Sequence, residues 1–510
     1  MKTLRLILGD QLNIKHSWFK EINQDVIYCL FEMRQETNYV NHHVQKVIGF
    51  FAAMRQFGLD LEAFGHKVEY FKINDHRNTQ DLKENLLKLI AQYQIEQFEY
   101  IFPDEYRLDK QLKDFCQSIN LQTAVYSAEH FYTNRVDLEV FFKGKKQYLM
   151  EYFYRDMRKK HDILMVGNQP EGGKWNYDKS NRNKWKGEII IPSFKSFNND
   201  VSKVKTDISA ANIKTIGHFE GNLFSYPITR MQALEQLKYF CEHLLVHFGD
   251  YQDAMHTSED YLFHSRLSFA MNLKLISPKD VVKTVTNYYQ INKDTIDISQ
   301  VEGFIRQIIG WREYMRGMYW AFMPGYKTKN LLNNHNKLPN FFWTGNTKMN
   351  CLKHAVQNSL DNSYAHHIQR LMVTGNYALL TQTNPDAVDN WYLGIYIDAV
   401  EWVQLPNTRG MSQFADGGII ATKPYVSSGA YIHKMSNYCD SCHYNKSKKT
   451  EADACPFNSL YWNFLDDKKE QLGTNFRMGM MYKLLDKMSP EELQKIKLKA
   501  THIIEHQDEY

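Results

Sequence analysis

No stretch of this chain approaches the roughly 20 consecutive apolar residues that span a bilayer. Its start, "MKTLRLILGDQLNIKHSW", lacks both the apolar run and the small-residue cleavage site of a secretion signal. Charge of one sign is scarce too: 62 Lys and Arg stand against 58 Asp and Glu, so the net +4 marks no polyanion partner by its global field. No G-x-G-x-x-G follows the first apolar run, which excludes the standard dinucleotide turn. No internal repeat is present. These absences predict a soluble, cytoplasmic protein whose 7 cysteines stay reduced. With 43% hydrophobic and 24% charged residues over 510 positions, two or three globular domains are expected rather than one core.

Aromatics, in contrast, are plentiful at 14%, with 32 Tyr, 30 Phe and 9 Trp. Such a surplus packs large helices and also suits a planar cofactor or bases taken out of a stack. Local basic stretches stand out at 157–161, 174–187 and 445–449. The second, "KWNYDKSNRNKWKG", interleaves Trp175, Tyr177 and Trp185 with its charges, a pattern suited to phosphate contact plus base stacking, or to a solvated surface loop.

Residues 1–135 alternate strand and helix. "LRLILG", "DVIYCLFEM", "KVEYFKI", "QFEYIFP" and "LQTAVYS" read as strands, separated by segments with apolar residues at helical spacing. The succession predicts an α/β domain with a parallel, Rossmann-like sheet. Ligands in such sheets sit beyond the strands' carboxyl ends, which points to Asp10, Gln11 and residues 31–36. From 136 to 232 the pattern weakens into a connection rich in Gly, Asn, Lys and Pro. From 233 to 510 amphipathic helical segments recur, predicting an all-helical domain.

"NYCDSCHYNKSKKTEADACPF" (437–457) places Cys439, Cys442 and Cys455 together. The C-x2-C pair brings two thiolates to one turn, and a four-thiolate site needs one more. Cys29 lies in a strand, while Cys116 and Cys241 fall on apolar helix faces; Cys351, at a turn-to-helix boundary of the helical half, is the candidate. Spacing does not separate zinc from a [4Fe–4S] cluster, and structural zinc is the commoner of the two.

Two strings carry a family resemblance. "HSRLSFAMNLKLISP" (264–278) resembles the stretch with which photolyases and cryptochromes grip the flavin phosphates, and "VEGFIRQIIGWREY" (301–314) resembles their conserved helix. "AHHIQRLMVTGNYALL" (365–380), "NWYLGIYIDAVEWVQLPNTRGMSQFADGG" (390–418) and "KPYVSSGAYIHKMSNYCDSC" (423–442) resemble the iron–sulfur bacterial cryptochromes and photolyases, the prokaryotic (6-4) photolyase branch. The likeness extends over essentially the whole chain. It implies FAD in the helical domain, a [4Fe–4S] cluster on Cys351, Cys439, Cys442 and Cys455, a 6,7-dimethyl-8-ribityllumazine antenna in the first domain, and UV-damaged DNA as partner of a monomeric bacterial protein.

The resemblance also assigns roles. His264, Ser265, Arg266, Leu267 and Ser268 would hold the flavin diphosphate at a helix start, aided by Gln307 and Arg312. Tyr251 would pack beside the flavin. Asp398 would contact its ring or ribose, and Glu401 and Gln404 would share one helical side with Asp398. Gln404 stands where the family usually carries an acid. His366 and His367 match the paired histidines of proton transfer, with His367 the more direct donor. Tyr425 and Tyr431 would line the lesion pocket. Trp391, Tyr392 and Trp343 match the electron relay, Asp10, Glu36 and Tyr39 the antenna contacts, and Asp178 and Arg182 the loop that approaches DNA. The function implied is light-dependent repair of (6-4) photoproducts in DNA. Its alternatives are a blue-light receptor that signals without repair, a primase-type module with a four-cysteine cluster and no flavin, and repair of cyclobutane dimers.

Overall fold

A computed structural model describes all residues, 1–510. Its first part is a parallel sheet of five strands in the order β3-β2-β1-β4-β5: β1 (Thr3–Leu6), β2 (Val26–Phe31), β3 (Lys67–Phe71), β4 (Gln97–Ile101) and β5 (Gln122–Tyr126). β1 is central, with Leu4 beside Ile27 on one flank and Phe98 on the other. The strands are joined by helices α1 (Val44–Ala63), α2 (Leu82–Tyr93) and α3 (Tyr106–Ser118). All six residues of β2 are buried, as both faces of the sheet are covered. The period of two divides them. Ile27, Cys29 and Phe31 pack with Leu86 and Phe115 beneath α2 and α3, while Tyr28 and Leu30 pack with Ile48 and Phe51 of α1.

Local signals fix the helix ends. The Asp81 carboxylate accepts the Glu84 amide at 2.9 Å to start α2, and Gln94 ends it in the left-handed region at φ 52°. The His43 ring accepts the Gln45 amide at 3.1 Å to start α1, and Gly65 at φ 93° follows its end.

The middle stretch is more ordered than its composition suggests. Helix Met150–His161 buries Phe153, Tyr154 and Met157 on one side and packs against residues 306–312. Residues 174–187 hold only one short turn of helix, Asp178–Ser180. Beyond Arg230 the chain is helical, apart from isolated bridges, and includes π-helical turns at Phe240–Leu244, Arg306–Arg312, Gln369–Gly375 and Pro406–Ser412. Such turns are rare and gather at functional sites. No helix is long and apolar enough to cross a membrane.

A separate cluster of 15 buried residues fills the space between the sheet and α2 and α3. One hydrophobic cluster of 116 residues runs from Ile7 to Tyr510, because the α1 face of the sheet packs straight onto the helical half. Polar contacts lock that seam. The His43 amide donates to Gly394 O at 2.9 Å and Leu12 to Leu273 O at 3.0 Å. The Glu313 carboxylate, wholly buried, accepts the Tyr132 and Thr133 amides at 3.1 Å.

His43 gives the seam a pH dependence. Burial pulls its pKa from 6.5 to about 4, although the Leu360 carbonyl near its Nε2 pulls the other way. The unfolded chain therefore binds more protons in this range, and stability is lost as pH falls from 6.5 towards 4. Urea unfolding of wild type and His43→Asn across that range is expected to show a shallower loss in the variant, by up to about 1.4 kcal/mol per pH unit. Parallel curves would contradict the assignment.

Candidate functional site

Beyond the carboxyl ends of β1, β2 and β4 lies a cavity of about 130 Å³, at the point where the strand order reverses. Asp10, Glu36 and Tyr39, the three expected antenna positions, all line it, and Glu105 and Trp402 lie on the same walls. Arg107 clamps Glu36 at 2.7 Å and Glu105 at 2.9 Å and lies over the Tyr39 ring at 5.1 Å. Burial, then the nearby Glu36, raises Glu105 to about 8 against the pull of Arg107. Burial alone would raise Asp104 as well, but Lys274 and Arg316 outweigh it and hold that carboxyl low.

Glu401 also lines this cavity, accepting from Tyr319 Oη at 2.8 Å. It does not share a side with Asp398 as the helical reading expected. The helix begins only at Glu401, so Asp398 lies in the preceding loop, where a period of 3.6 does not apply. Gln404 is buried and hydrogen-bonds within its own helix to Thr408.

Asp398 anchors a second polar group. Its carboxylate accepts from Ser268 Oγ at 2.7 Å and Arg370 Nη2 at 3.0 Å. Asn272 donates to its carbonyl and in turn accepts from Arg312, whose guanidinium lies 4.8 Å over Trp402 of the cavity wall. Two of the expected flavin contacts, Ser268 and Arg312, thus join Asp398. The helix at Ser268 has only five residues, so the expected anion site at a helix start rests on side chains rather than on a dipole. Leu267 is fully buried, the Ser265 carbonyl accepts Gln236 Nε2 at 2.7 Å, and Gln307 bonds the Gly303 carbonyl at 3.2 Å. Arg266 does not join the group. Phe194, Tyr226 and Tyr261 enclose its guanidinium at 4.3–4.6 Å. Tyr251 donates to Glu188 at 2.8 Å.

The histidines form a third feature. The His264 and His366 rings stack at 4.7 Å with 15° between planes. Both ring nitrogens of His366 and Nε2 of His264 are buried without a partner. His367 is open to solvent, yet the protein around it pulls its pKa to about 4 through desolvation, then through the Arg370 charge. Tyr425, Tyr431, Asp178 and Arg182 lie near enough to one another for their charges to interact. Tyr431 is raised to about 12 by burial and the neighbouring Asp253, and Tyr425 by burial and Asp178. Asp178 pairs with Arg306, while Arg182 is exposed without an ion pair.

An aromatic path runs from Asp398 outward. Arg370 covers Tyr396 at 3.8 Å, Tyr396 meets Tyr392 at 5.5 Å, and Tyr392 meets Trp391 at 5.3 Å. Trp391 packs on Phe342 at 4.9 Å, next to Trp343, which is 42% exposed at the surface.

Cys351, Cys439, Cys442 and Cys455 surround one pocket of about 10 Å³, walled by apolar groups and Lys446. No three His, Cys, Asp or Glu side chains close to the spacing of a single metal ion. Burial, followed by the other cysteines, raises Cys455 to about 12 and Cys351 well above the ordinary thiol range. Cys351, the candidate fourth thiol, lines the same small pocket as Cys439, Cys442 and Cys455.

Sequence reasoning missed Asp253, His42, Lys46 and Arg370. Burial raises Asp253 to about 6 beside Arg182. Removing the carboxylate of Asp398 leaves Arg370 enclosed without its partner, and Asp398→Ala is expected to cost about 3 kcal/mol. Asp398→Asn, which keeps an acceptor, should cost less. Urea denaturation of both checks this, and equal losses would contradict it.

Comparison with known proteins fits this geometry. The sequence model of a family described as "Deoxyribodipyrimidine photo-lyase-related protein" matches residues 5–224. A (6-4) photolyase of Agrobacterium fabrum is 40% identical over 512 aligned residues, covering 100% of both chains. Among solved structures, a bacterial class III photolyase from Agrobacterium tumefaciens superimposes with a TM-score of 0.56 at 12% identity, covering 99% of this chain and 97% of that one. A Synechocystis cryptochrome gives 0.53 at 13% identity, covering 92% and 94%. The two structural likenesses establish the fold, and with the full-length identity the chain belongs to the (6-4) photolyase family of bacterial photolyases and cryptochromes.

Proposed function

We propose that this chain is a DNA (6-4) photolyase, restoring two pyrimidines from a (6-4) photoproduct under blue light. The observation that carries the reading is the 40% identity to a (6-4) photolyase over the full chain, together with the stacked His264–His366 pair, the solvent-open His367 and the Ser268–Asp398 group. We read residues 1–135 as an antenna domain, 136–232 as the connection and 233–510 as the catalytic domain of a cytoplasmic monomer.

The buried, unpartnered nitrogens of His264 and His366 call for a polar guest, which fits FAD held by Ser268, Arg312, Arg370 and Asp398. When bound in its reduced form, FAD supplies one electron to the lesion under light and takes it back at the end. The four thiols would hold a [4Fe–4S] cluster, and the cavity beyond the sheet would hold a lumazine antenna.

The protein's own part is recognition and proton handling. Arg182 meets a phosphate, and Tyr425 and Tyr431 line the space for the extruded lesion, which unstacks at lower cost than an intact pair. His367 holds the proton that passes to the hydroxyl or amino group as it leaves one base, and recovers it once the group has returned. Desolvation by the surrounding protein, then the Arg370 charge, pulls this imidazole to about 4. DNA phosphates and an anionic guest add negative charge and raise it towards the working range. Trp343, Trp391 and Tyr392 carry electrons inward to restore the reduced state.

Illumination of the reduced, cofactor-loaded protein with an oligonucleotide bearing one (6-4) lesion is expected to restore the parent bases. His367→Ala should lower the rate by about 10²–10⁴ with flavin content unchanged. Lack of repair by a fully loaded wild type would leave the signalling role in its place.

A further inference from the structure

No Phe, Tyr or Trp of the chain is as exposed as Phe476, at 85%. It opens the short turn Phe476–Met478, which leads into the helix Gly479–Leu485. Met480, four residues on, is 74% exposed on the same face, whereas Met478, Tyr482 and Leu485 are buried on the opposite one. The turn is firmly held. Asn475 Oδ1 accepts the Arg477 amide at 3.0 Å, and the Asn475 carbonyl accepts the Met478 amide at 2.9 Å. Asn475 Nδ2 donates to the Thr422 carbonyl at 3.0 Å, which fastens the turn to the segment that carries Tyr425. Burial raises the Tyr425 hydroxyl, and Arg182 and Arg477 reach it from two separate segments to pull the other way.

The charge around this ring has one sign. The Arg477 guanidinium lies 5.6 Å over Phe476. Arg477, Lys423 and Lys483 are exposed and enter no ion pair, while Asp486, the one acid between 474 and 488, is taken by Lys469 at 2.6 Å. An apolar tip on a cationic turn complements a surface that is anionic outside and a stack of flat rings inside. A duplex that has given up a base offers both, phosphates on its rim and a gap in its stack. Extruding a lesion creates that gap, and an aromatic side chain that fills it offsets the lost stacking.

We propose that Phe476, backed by Met480, is a wedge that enters the duplex at the gap left by an extruded lesion, with Arg477 on an adjoining phosphate. This rests on reading the chain as a DNA photolyase. The occupant of the face is the lesion-bearing duplex, because the turn is tied to the Tyr425 segment and its unpaired charge is positive. A single strand has no partner strand to hold apart and needs no wedge.

The test is fluorescence anisotropy of the full-length, cofactor-loaded protein in the dark. Its three probes are a duplex with one (6-4) lesion, the same duplex undamaged, and the lesion-bearing single strand. Wild type is expected to bind the lesion duplex at least about tenfold more tightly than the undamaged one. Phe476→Ser is expected to weaken lesion-duplex binding about tenfold or more and single-strand binding less than about threefold. Phe476→Trp, which keeps a flat ring, should retain the wild-type affinity. So exposed a ring makes no core contact, and its replacement leaves folding intact. Undiminished duplex binding by Phe476→Ser, or an equal loss on duplex and single strand, overturns the wedge and leaves the photolyase reading in place. A wild-type dimer that Phe476→Ser dissociates in sedimentation, with duplex binding unchanged, also overturns it and assigns the face to a second copy of the chain. No preference of wild type for the lesion duplex overturns both readings.

Discussion

The arrangement depends on one buried cation. Lys274 reaches from the helical half to lie between Asp10 and Asp104 of the sheet, with only 2% of its side chain exposed. An ammonium stripped of water is tolerated only when paired, and a carboxylate that lost it would be stranded in turn, at about 3–5 kcal/mol. The pairing therefore fixes how the carboxyl ends of β1 and β4 face the helices. Asp10 and Asp104 are also cavity residues, so the contact that closes the seam shapes the site as well. Lys274 holds a left-handed backbone at φ 65°, uncommon for a side-chain-bearing residue, which the surrounding contacts enforce.

From that seam the two candidate sites are neighbours. Trp402 walls the cavity and carries Arg312 over its ring, and Arg312 leads through Asn272 to Asp398. Light gathered on the sheet side and charge moved on the helix side would thus meet across one indole. The histidines lie beyond Arg370, on the far side of Asp398, and desolvation together with the Arg370 charge lowers the pKa of His367.

Much of this was legible in the residues. The alternation of short apolar runs with amphipathic segments gives the five strands and their helices, because the periods of two and 3.6 are strong where whole faces are buried. Asp10, Glu36 and Tyr39 converge because strand ends in such a sheet face one crevice. Cys351, singled out by elimination, lines the small pocket of the other three cysteines. The grouping of Glu401 with Asp398 could not be read correctly, since the helix starts later than the spacing assumes. Nor could the continuous core be read, because composition does not reveal that α1 packs against the other half. His42 and Lys46 look like ordinary helix-start polar residues in sequence, and only the fold reveals their burial. Helices in the middle stretch were masked by the Gly- and Asn-rich turns around them.

The central claim is that the helical half holds a flavin whose charge state light can change. An absorption spectrum of the protein purified in dim light without oxygen, taken before and after blue illumination with a reductant, tests it most directly. The account expects oxidised-flavin bands that bleach on illumination above a broad sulfur-to-iron background, with the bleaching slowed in Trp391→Phe. A protein that folds and carries the background but shows no flavin band would contradict it.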